Sequence, residues 1–313
     1  MNILTFSTHE GYQYNLCKTG HNFDILESDK LGGVKGWDER QRPLPPNAHV
    51  ISAVDNYDRY DLILCQKIED WYRVKDIQKK KIILFHVLWS RNWDISEEDD
   101  FKGRDGLIAQ MKDDYKVYIL ESKRKSWNSF DDKSVIINHG VDLNDYNKKF
   151  NGNTQSVLRA CHFFRDRDWW CGYDKFLKVL RGSPHMILGN NPNTPNSFYP
   201  ENFETYKDFF YGFRVYFNST TNDDYPLSML DAFAAGMPVV STCAKNEPQY
   251  IYHGYNGYVS DDDECLHESI SMMLQDRRKA RLIGKAGKDI IDEHFNLKKF
   301  IDKWNETFEL ARK

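Results

Sequence analysis

Short apolar runs alternate along the chain with longer stretches of mixed polarity. Such runs, rich in Ile, Leu, Val and aromatic residues, are typical of parallel strands that are buried on both faces. In the first half, the predicted strands are Asn2–Phe6, Asp24–Leu26, His49–Ser52, Asp61–Cys65, Lys81–Phe85, Val117–Leu120 and Ser134–Ile137. Their alternation with helical stretches predicts repeated β-α units and therefore a parallel sheet.

The same alternation restarts after the polar stretch Asn144–Gln155. We predict a linker there, because turn formers and charged residues dominate and little can be buried. The second half contains the predicted strands Ser156–Cys161, His185–Leu188, Val215–Phe217, Pro238–Ser241 and Gly257–Val259, and the helices Leu227–Ala235, Leu266–Gln275, Arg278–Glu293 and Leu297–Arg312. The pattern predicts an α/β protein with doubly wound domains at 1–143 and 144–296, followed by a terminal helix at 297–313.

Composition narrows the class of protein. The chain has 313 residues, of which 40% are hydrophobic and 29% charged, so it can bury a substantial core. A net charge of −4 argues against a chain built mainly to bind bare nucleic acid or anionic membrane. Neither a membrane-spanning stretch nor a signal peptide is visible. The six cysteines form no Cys-x-x-Cys pair, which favours reduced thiols in a cytoplasmic protein.

The segment 223–241 carries the most chemical information. It is predicted to contain a loop, a helix and a strand. Pro226 suits the first helical turn, where a missing N–H does no harm. Gly236 ends the helix and Pro238 prevents its continuation. A helix therefore begins close to the end of a buried strand, which is where ligands bind in doubly wound sheets.

Two kinds of group meet at the start of this helix. The backbone N–H groups near Leu227 and Ser228 form a ready site for a diphosphate. The carboxylates of Asp223 and Asp231 can accept hydrogen bonds from the hydroxyl groups of a sugar or a ribose. The alternative is a surface helix with solvated acids, and spacing alone leaves both open.

The run Asp223-x7-Asp231-Ala-Phe-Ala-Ala-Gly-Met-Pro-Val-Val resembles a motif of the retaining glycosyltransferases of GT-B fold, family 4 (glycosyl transferases group 1). That family has Glu-x7-Glu and a similar run that ends in Gly-x-Pro-Val-Val. Further matches follow in the family's order at Ile136–Asp142, Glu247–Gln249, Asn256–Val259 and Phe295–Phe300. The resemblance covers most of the chain and is strongest from Val135 to Val259.

The resemblance implies two facing Rossmann-like domains, with a ligand between them. It places the acceptor on residues 1–143 and the nucleoside-diphosphate sugar on 144–296, with the helix 297–313 crossing back to the first domain. The implied reaction transfers a sugar with retention of anomeric configuration, and it needs no metal and no cofactor beyond the donor. The donor is a UDP-sugar by family frequency.

The resemblance also implies roles in donor binding. Asp223 contacts the donor sugar and Asp231 the ribose. The family places an arginine and a lysine on the diphosphate, but here Cys171 stands where the lysine is expected. The positive charge must therefore come from Arg165 or Arg167, whose guanidinium groups suit paired phosphate oxygens and can stabilise the leaving diphosphate.

In the first domain, His86 occupies the position of a family histidine that faces the donor sugar. Gly11 follows the first strand and can let the backbone approach the phosphates. The predicted catalytic residues are therefore His86, Asp223 and Arg165, and the predicted donor-binding residues are Gly11, Arg165, Arg167, Asp223, Leu227, Ser228 and Asp231. His9 and Glu10 are candidates for contact with the acceptor.

Other functions stay open at this point. One is a sugar-nucleotide epimerase of the same fold. Another is a non-catalytic member that binds nucleotide sugars, which the Asp-for-Glu and Cys-for-Lys departures favour. The acceptor can be a glycan, a lipid, a protein, a small molecule or a hydroxylated base in viral DNA. The basic stretches Lys75–Lys81 and Lys123–Lys125 are either solvated faces or contacts to nucleic acid or to the inner face of a membrane.

Overall fold

The computed structural model describes residues 1–28, 35–89, 97–221, 226–243 and 250–313, with only the backbone given for 97–102. Contacts divide the chain into unit 1, which contains Met1–Gly140 and Leu297–Lys313, and unit 2, which contains Val141–Asn296. The sequence predicted a boundary after residue 143, whereas the structure places it after Gly140. The backbone explains this difference, because the N–H of Val141 donates to the carbonyl of Phe295 at 2.9 Å.

Unit 1 is built on a parallel sheet of seven strands. Its elements are β1 (Asn2–Phe6), α1 (Glu10–Cys17), β2 (Asn22–Leu26), β3 (Ala48–Ile51), β4 (Leu62–Cys65), α2 (Ile68–Val74), β5 (Lys81–Phe85), α3 (Glu97–Gln110), β6 (Tyr115–Tyr118), α4 (Glu121–Ser126) and β7 (Ser134–Ile136). The strand order is β3-β2-β1-β4-β5-β6-β7. The apolar strands β4 and β5 lie inside the sheet, and every residue in them is buried.

Unit 2 contains a second parallel sheet, of six strands. Its elements are β8 (Thr154–Ala160), α5 (Asp168–Cys171), α6 (Tyr173–Leu180), β9 (His185–Leu188), β10 (Ser197–Phe198), α7 (Phe203–Gly212), β11 (Phe213–Asn218), α8 (Leu227–Ala235), β12 (Val239–Ser241), β13 (Tyr258–Val259), α9 (Asp263–Gln275) and α10 (Arg277–His294). The strand order is β10-β9-β8-β11-β12-β13. The order reverses between β8 and β11, so the carboxyl ends of these strands define the switch point of the sheet.

The predicted linker Asn144–Gln155 lies entirely within unit 2. It overlaps a 3₁₀ helix at Leu143–Tyr146 and the first residues of β8. Tyr146 is 2% exposed and Phe150 8%. These two aromatic side chains are the reason for the difference, because they pack into the unit although polar turn formers surround them in sequence.

The terminal helix α11 (Leu297–Arg312) belongs to unit 1. Its buried face presents Phe300 and Trp304, and the Trp304 Nε1–H donates to the Tyr12 hydroxyl at 3.1 Å. Gly140 permits this packing, because a Cβ atom there would lie 2.5 Å from Cγ of Phe300. Neither α11 nor any other helix in the described part of the chain has the length and apolar character needed to cross a membrane.

Candidate functional site

The candidate site of unit 2 lies at the carboxyl ends of β8 and β11. Residues 161–167 follow β8 and lead into α5, while residues 219–221 follow β11. The segment 219–221 is bound to α5, because the Ser219 hydroxyl donates to the carbonyl of Cys171 at 3.1 Å and the Thr221 N–H donates to that of Trp170 at 3.1 Å. The switch point is therefore bordered by a structured wall on which a ligand can bind.

Helix α8 begins beside this wall. Pro226 is its N-cap residue, and Leu227 and Ser228 are half-buried in its first turn. The Ser228 hydroxyl donates to the carbonyl of Ala160 at 3.0 Å and lies 2.7 Å from the Tyr216 hydroxyl. The start of the helix is thus bound to the end of β8. Its first N–H groups lack carbonyl partners within the helix and carry the positive end of the helix dipole.

A buried arginine at the end of β8 was missed by the sequence analysis. Arg159 is 1% exposed, and its guanidinium donates to the Tyr216 hydroxyl at 3.0 Å, to Asn218 Oδ1 at 2.6 Å and to Thr220 Oγ1 at 2.8 Å. These three acceptors are neutral, so they bind Nη1 and Nη2 without cancelling the charge, whereas the buried Nε has no hydrogen-bond partner within the described part of the chain. In the sequence, the feature that could have indicated this residue is an arginine within the otherwise apolar run 157–160.

The two predicted phosphate-binding arginines differ in their surroundings. Arg165 is exposed. Arg167 is half-buried, and its Nη2 donates to the carbonyl of His162 at 2.6 Å and lies 3.2 Å from Sγ of Cys161. Arg167 therefore shapes the loop after β8, while Arg165 has its guanidinium in solvent.

The thiols of Cys161 and Cys171 lie next to this loop, and each shifts the pKa of the other. The hydrogen bond from Cys171 lowers the pKa of Cys161, and the positive charges of Arg159 and Arg167 lower it further against the effect of desolvation. The same hydrogen bond raises the pKa of Cys171. Cys171 is buried, so the position at which the resemblance expects a lysine contributes no charge here.

Asp231 lies in the second turn of α8 and is 4% exposed. Its carboxylate accepts hydrogen bonds from the hydroxyls of Tyr146 at 2.6 Å and Tyr206 at 2.8 Å. Sequence reasoning assigned a ribose-binding role to Asp231 but not these two partners. The role in ribose binding stays a prediction. Asp223 and residues 247–248 lie outside the described residues.

In unit 1, the predicted residues meet at the carboxyl edge of the first sheet. His86 follows β5, and its Nε2 lies 3.3 Å from Oε1 of Gln66, the residue after β4. The rings of Tyr12 and His9 lie with their centroids 4.9 Å and 6.3 Å from that of His86. Gly11 is buried in the first turn of α1, between His9 and Tyr12.

Gln66 is a partner of His86 that no sequence pattern indicated. Its Nε2 donates to the Thr5 hydroxyl at 2.9 Å, and that hydroxyl donates to the carbonyl of Leu64, also at 2.9 Å. The amide oxygen of Gln66 is thereby directed at His86. Glu10 also has a partner within the unit, because its Oε1 accepts the N–H of Asp38 at 3.1 Å.

Two acidic segments of unit 2, residues 166–168 and 261–263, form contacts within the unit. Asp263 forms ion pairs with Lys175 at 3.0 Å and Lys178 at 2.7 Å. Asp168 accepts the N–H of Asp174 at 2.7 Å. Within the described ranges, no group of three or more His, Cys, Asp or Glu residues could hold a metal ion. These acids therefore stabilise helix starts and surface contacts.

Part of unit 2 is similar in sequence to known glycosyltransferases. Residues 204–290 match the family model described as glycosyl transferases group 1. An 84-residue segment is 26% identical to an uncharacterised glycosyltransferase of Methanocaldococcus jannaschii, and it spans 26% of this chain and 21% of that relative. The matched part thus covers about a fifth of the relative's length.

Several solved structures share the whole fold. HepE of Anabaena in complex with UDP and glucose matches with a TM-score of 0.74, 12% identity and coverage of 99% of both chains. Sucrose-phosphate synthase from Thermosynechococcus elongatus matches with a TM-score of 0.73, 14% identity and coverage of 99% of this chain and 98% of that one. These matches confirm the predicted GT-B fold. The similarity to group 1 glycosyl transferases rests on residues 204–290.

Proposed function

We propose that the protein is a retaining, metal-independent glycosyltransferase of family 4 that transfers a sugar from a UDP-sugar to a hydroxyl-bearing acceptor. One observation carries this proposal: the start of α8 is bound to the end of β8, beside the buried charge of Arg159. The HepE structures, which contain UDP with glucose or UDP-glucose, favour uridine as the donor base.

In this proposal the diphosphate binds at the first turn of α8. Backbone N–H groups near Leu227 and Ser228 donate to its oxygens, and the exposed guanidinium of Arg165 pairs with them in a bidentate manner. Arg159 adds a fixed positive charge from within the sheet. When the bond between sugar and phosphate breaks, negative charge develops on the leaving diphosphate, and these groups stabilise it without reorganising.

The remaining predicted residues act on the sugar and the ribose. His86 and Asp223 contact the donor sugar, and the Gln66 amide orients the imidazole of His86. Asp231 accepts the ribose hydroxyls, since an ionised carboxylate has about four acceptor sites. Gly11 gives the backbone room near the phosphates.

Calorimetric titration with UDP, GDP and ADP tests donor binding. We expect UDP to bind, and the Arg165→Ala variant to bind it at least about tenfold more weakly, because a charge-assisted hydrogen bond contributes about 1.5–3 kcal/mol. Lys178→Ala is the matched control: it removes one positive charge from the same unit, at a residue that pairs with Asp263. The proposal fails when no nucleoside diphosphate binds, or when both variants lose the same affinity.

Turnover separates the proposed function from its alternatives. Release of UDP from UDP-sugars is measured with and without crude acceptors, and the anomeric configuration of the product is read by NMR. We expect acceptor-dependent release, a retained configuration, full activity in the presence of a chelator, and large losses in His86→Ala and Asp223→Ala. Interconversion of the donor without acceptor identifies an epimerase. Binding without turnover identifies a non-catalytic protein.

A further inference from the structure

Unit 2 has a second concave surface, which we call the basic groove. It lies between the loop 148–150, the end of α8 at 235–236 and the residues 277–288 of α10, and its volume is about 540 Å³. Seven Lys and Arg residues line it, while Phe150, Ala235 and Gly236 are among its apolar residues. The groove is at the opposite end of α8 from Leu227. At 1.5 Å per residue, this separates it from the candidate donor site by about 13 Å.

The cations of α10 form a stripe along one face. Arg278, Arg281, Lys285 and Lys288 follow one another at spacings of three, four and three residues. Like charges at these spacings repel each other, and cations near the start of a helix oppose its dipole. The first turn of α10 contains no acidic residue, so the acidic group at this end of the helix is that of the N-cap residue Asp276. This charge pattern therefore disfavours the isolated helix, and an anionic partner would offset the cost.

Most of these cations have no internal partner. Lys148 pairs with Asp208, and Arg277 donates to Asn153 Oδ1 at 2.6 Å. By contrast, four cations have neither an ion pair nor a side-chain hydrogen bond within the described parts of the chain: Lys149, Arg278, Arg281 and Lys285. All four are exposed. The groove thus presents positive charge that the fold itself does not use.

An apolar side chain stands among these charges. Leu282 lies next to Arg281 in sequence and is 61% exposed, whereas Ile283 and Ile290 of the same helix are buried. We infer that the basic groove binds the head group of an anionic phospholipid at a bilayer surface. The lipid phosphate contacts Arg278, Arg281 and Lys285, and Leu282 and the apolar floor contact the acyl boundary. A free phosphate would make no use of the apolar surface.

Sedimentation of the full chain with lipid vesicles tests this inference. We expect binding to vesicles of phosphatidylcholine and phosphatidylglycerol in equal parts, and none to phosphatidylcholine alone. In the triple variant R278Q/R281Q/K285Q we expect the partition coefficient to fall about 100-fold, because each of the three cations near an anionic surface contributes about fivefold. Leu282→Ala should reduce it about fivefold.

The matched control is the triple variant K75Q/K80Q/K125Q, which removes three exposed cations from unit 1. We expect it to bind vesicles within about threefold of the wild type, since its cations lie outside the groove. Thermal melting confirms that the α10 variant folds, and its melting temperature should equal or exceed that of the wild type because repulsion is relieved.

Three outcomes overturn the inference. The first is wild-type binding by the α10 triple variant, and the second is an equal loss in the control triple variant. The third is failure of the wild type to bind anionic vesicles; should pyrophosphate or an oligoglutamate peptide bind the wild type but not the α10 triple variant, the groove is a site for soluble anions or acidic segments. Because none of these measurements involves the nucleotide or turnover, the result is independent of the proposed function.

Discussion

Arg159 occupies a position in β8 at which the neighbouring side chains are apolar. Removing a guanidinium from water costs several kcal/mol unless its donors are satisfied. Here three neutral oxygens satisfy three of them, so the charge persists at the carboxyl end of the strand. The contact partners come from β11 and the residues directly after it, about 60 residues away in sequence, and no local pattern indicates them.

Replacing Arg159 with Met tests whether this charge serves binding. We expect the affinity for UDP to fall about tenfold, since a fixed charge near the diphosphate is lost. Calorimetry measures the affinity. Arg214→Met is the matched control, because Arg214 is also buried but donates to the carbonyls of Gly152 and Leu274, near the start of β11. Equal losses of UDP affinity in both variants would contradict a binding role for Arg159.

The buried imidazole of His139 should make the stability of the protein depend on pH. Burial lowers the pKa of its imidazole to about 3. The folded protein therefore holds it neutral, whereas the unfolded chain binds a proton below about pH 6.5. Stability attributable to His139 is complete above pH 6.5 and falls by about 1.4 kcal/mol per pH unit as the pH decreases towards 3.

The comparison of His139→Asn with the wild type isolates this effect. Between pH 7 and 5, urea denaturation should show that the wild type loses about 2 kcal/mol more than the variant. Asp70 has the opposite influence, because burial raises its pKa to about 6, but both proteins retain it. Parallel stability curves for the two proteins would show that His139 does not titrate on unfolding.

At the scale of elements, the packing of α10 against α8 depends on a glycine. A Cβ atom at Gly284 would lie 2.0 Å from the carbonyl oxygen of Gly236, a contact that the backbone must move to relieve. Gly236 itself has a φ of +75°, which ends α8 in the left-handed region. The two helices therefore approach closely at the end of α8.

Gly284→Ala should destabilise unit 2 by about 3 kcal/mol, within the range seen for overpacked cores. Gly106→Ala in α3 is the control, because no atom lies within 4 Å of a Cβ atom added there. Helix propensity predicts a stabilisation of about 0.5–1 kcal/mol for this control. Thermal denaturation of both variants checks the pair, and an equal effect of the two substitutions would show that the close contact relaxes without cost.

At the scale of the whole molecule, the two parallel sheets share the order of their first six strands, but the units that contain them carry different chemistry. The net charge of −4 conceals a local concentration of cations in unit 2. Unit 1 contains the imidazoles of His9, His86 and His139. Unit 2 contains the start of α8 and the arginines of the candidate donor site, which are Arg159, Arg165 and Arg167. The proposed donor site therefore predicts unequal responses of the two units to nucleotide.

Hydrogen exchange with and without UDP measures these responses. At a concentration of UDP about 100-fold above its Kd, the protection of amides in unit 2 should rise by up to about 2.7 kcal/mol, first at the start of α8 and in the loop 161–167. The strands β2 and β3 of unit 1 serve as the internal reference. Protection confined to unit 1 would place the nucleotide elsewhere.

The sequence by itself determined the described strands except the two-residue β10, and also the limits of α8 and the order of motifs. Buried parallel strands must be apolar, and Pro226 and Gly236 restrict the backbone locally, so both leave a local record. Contacts between distant residues were decided only by the tertiary structure. Asp231 meets Tyr146 across 85 positions, and the stripe on α10 becomes a groove only beside the loop 148–150. Such contacts depend on how elements pack, and packing joins residues whose separation along the chain carries no periodic signal.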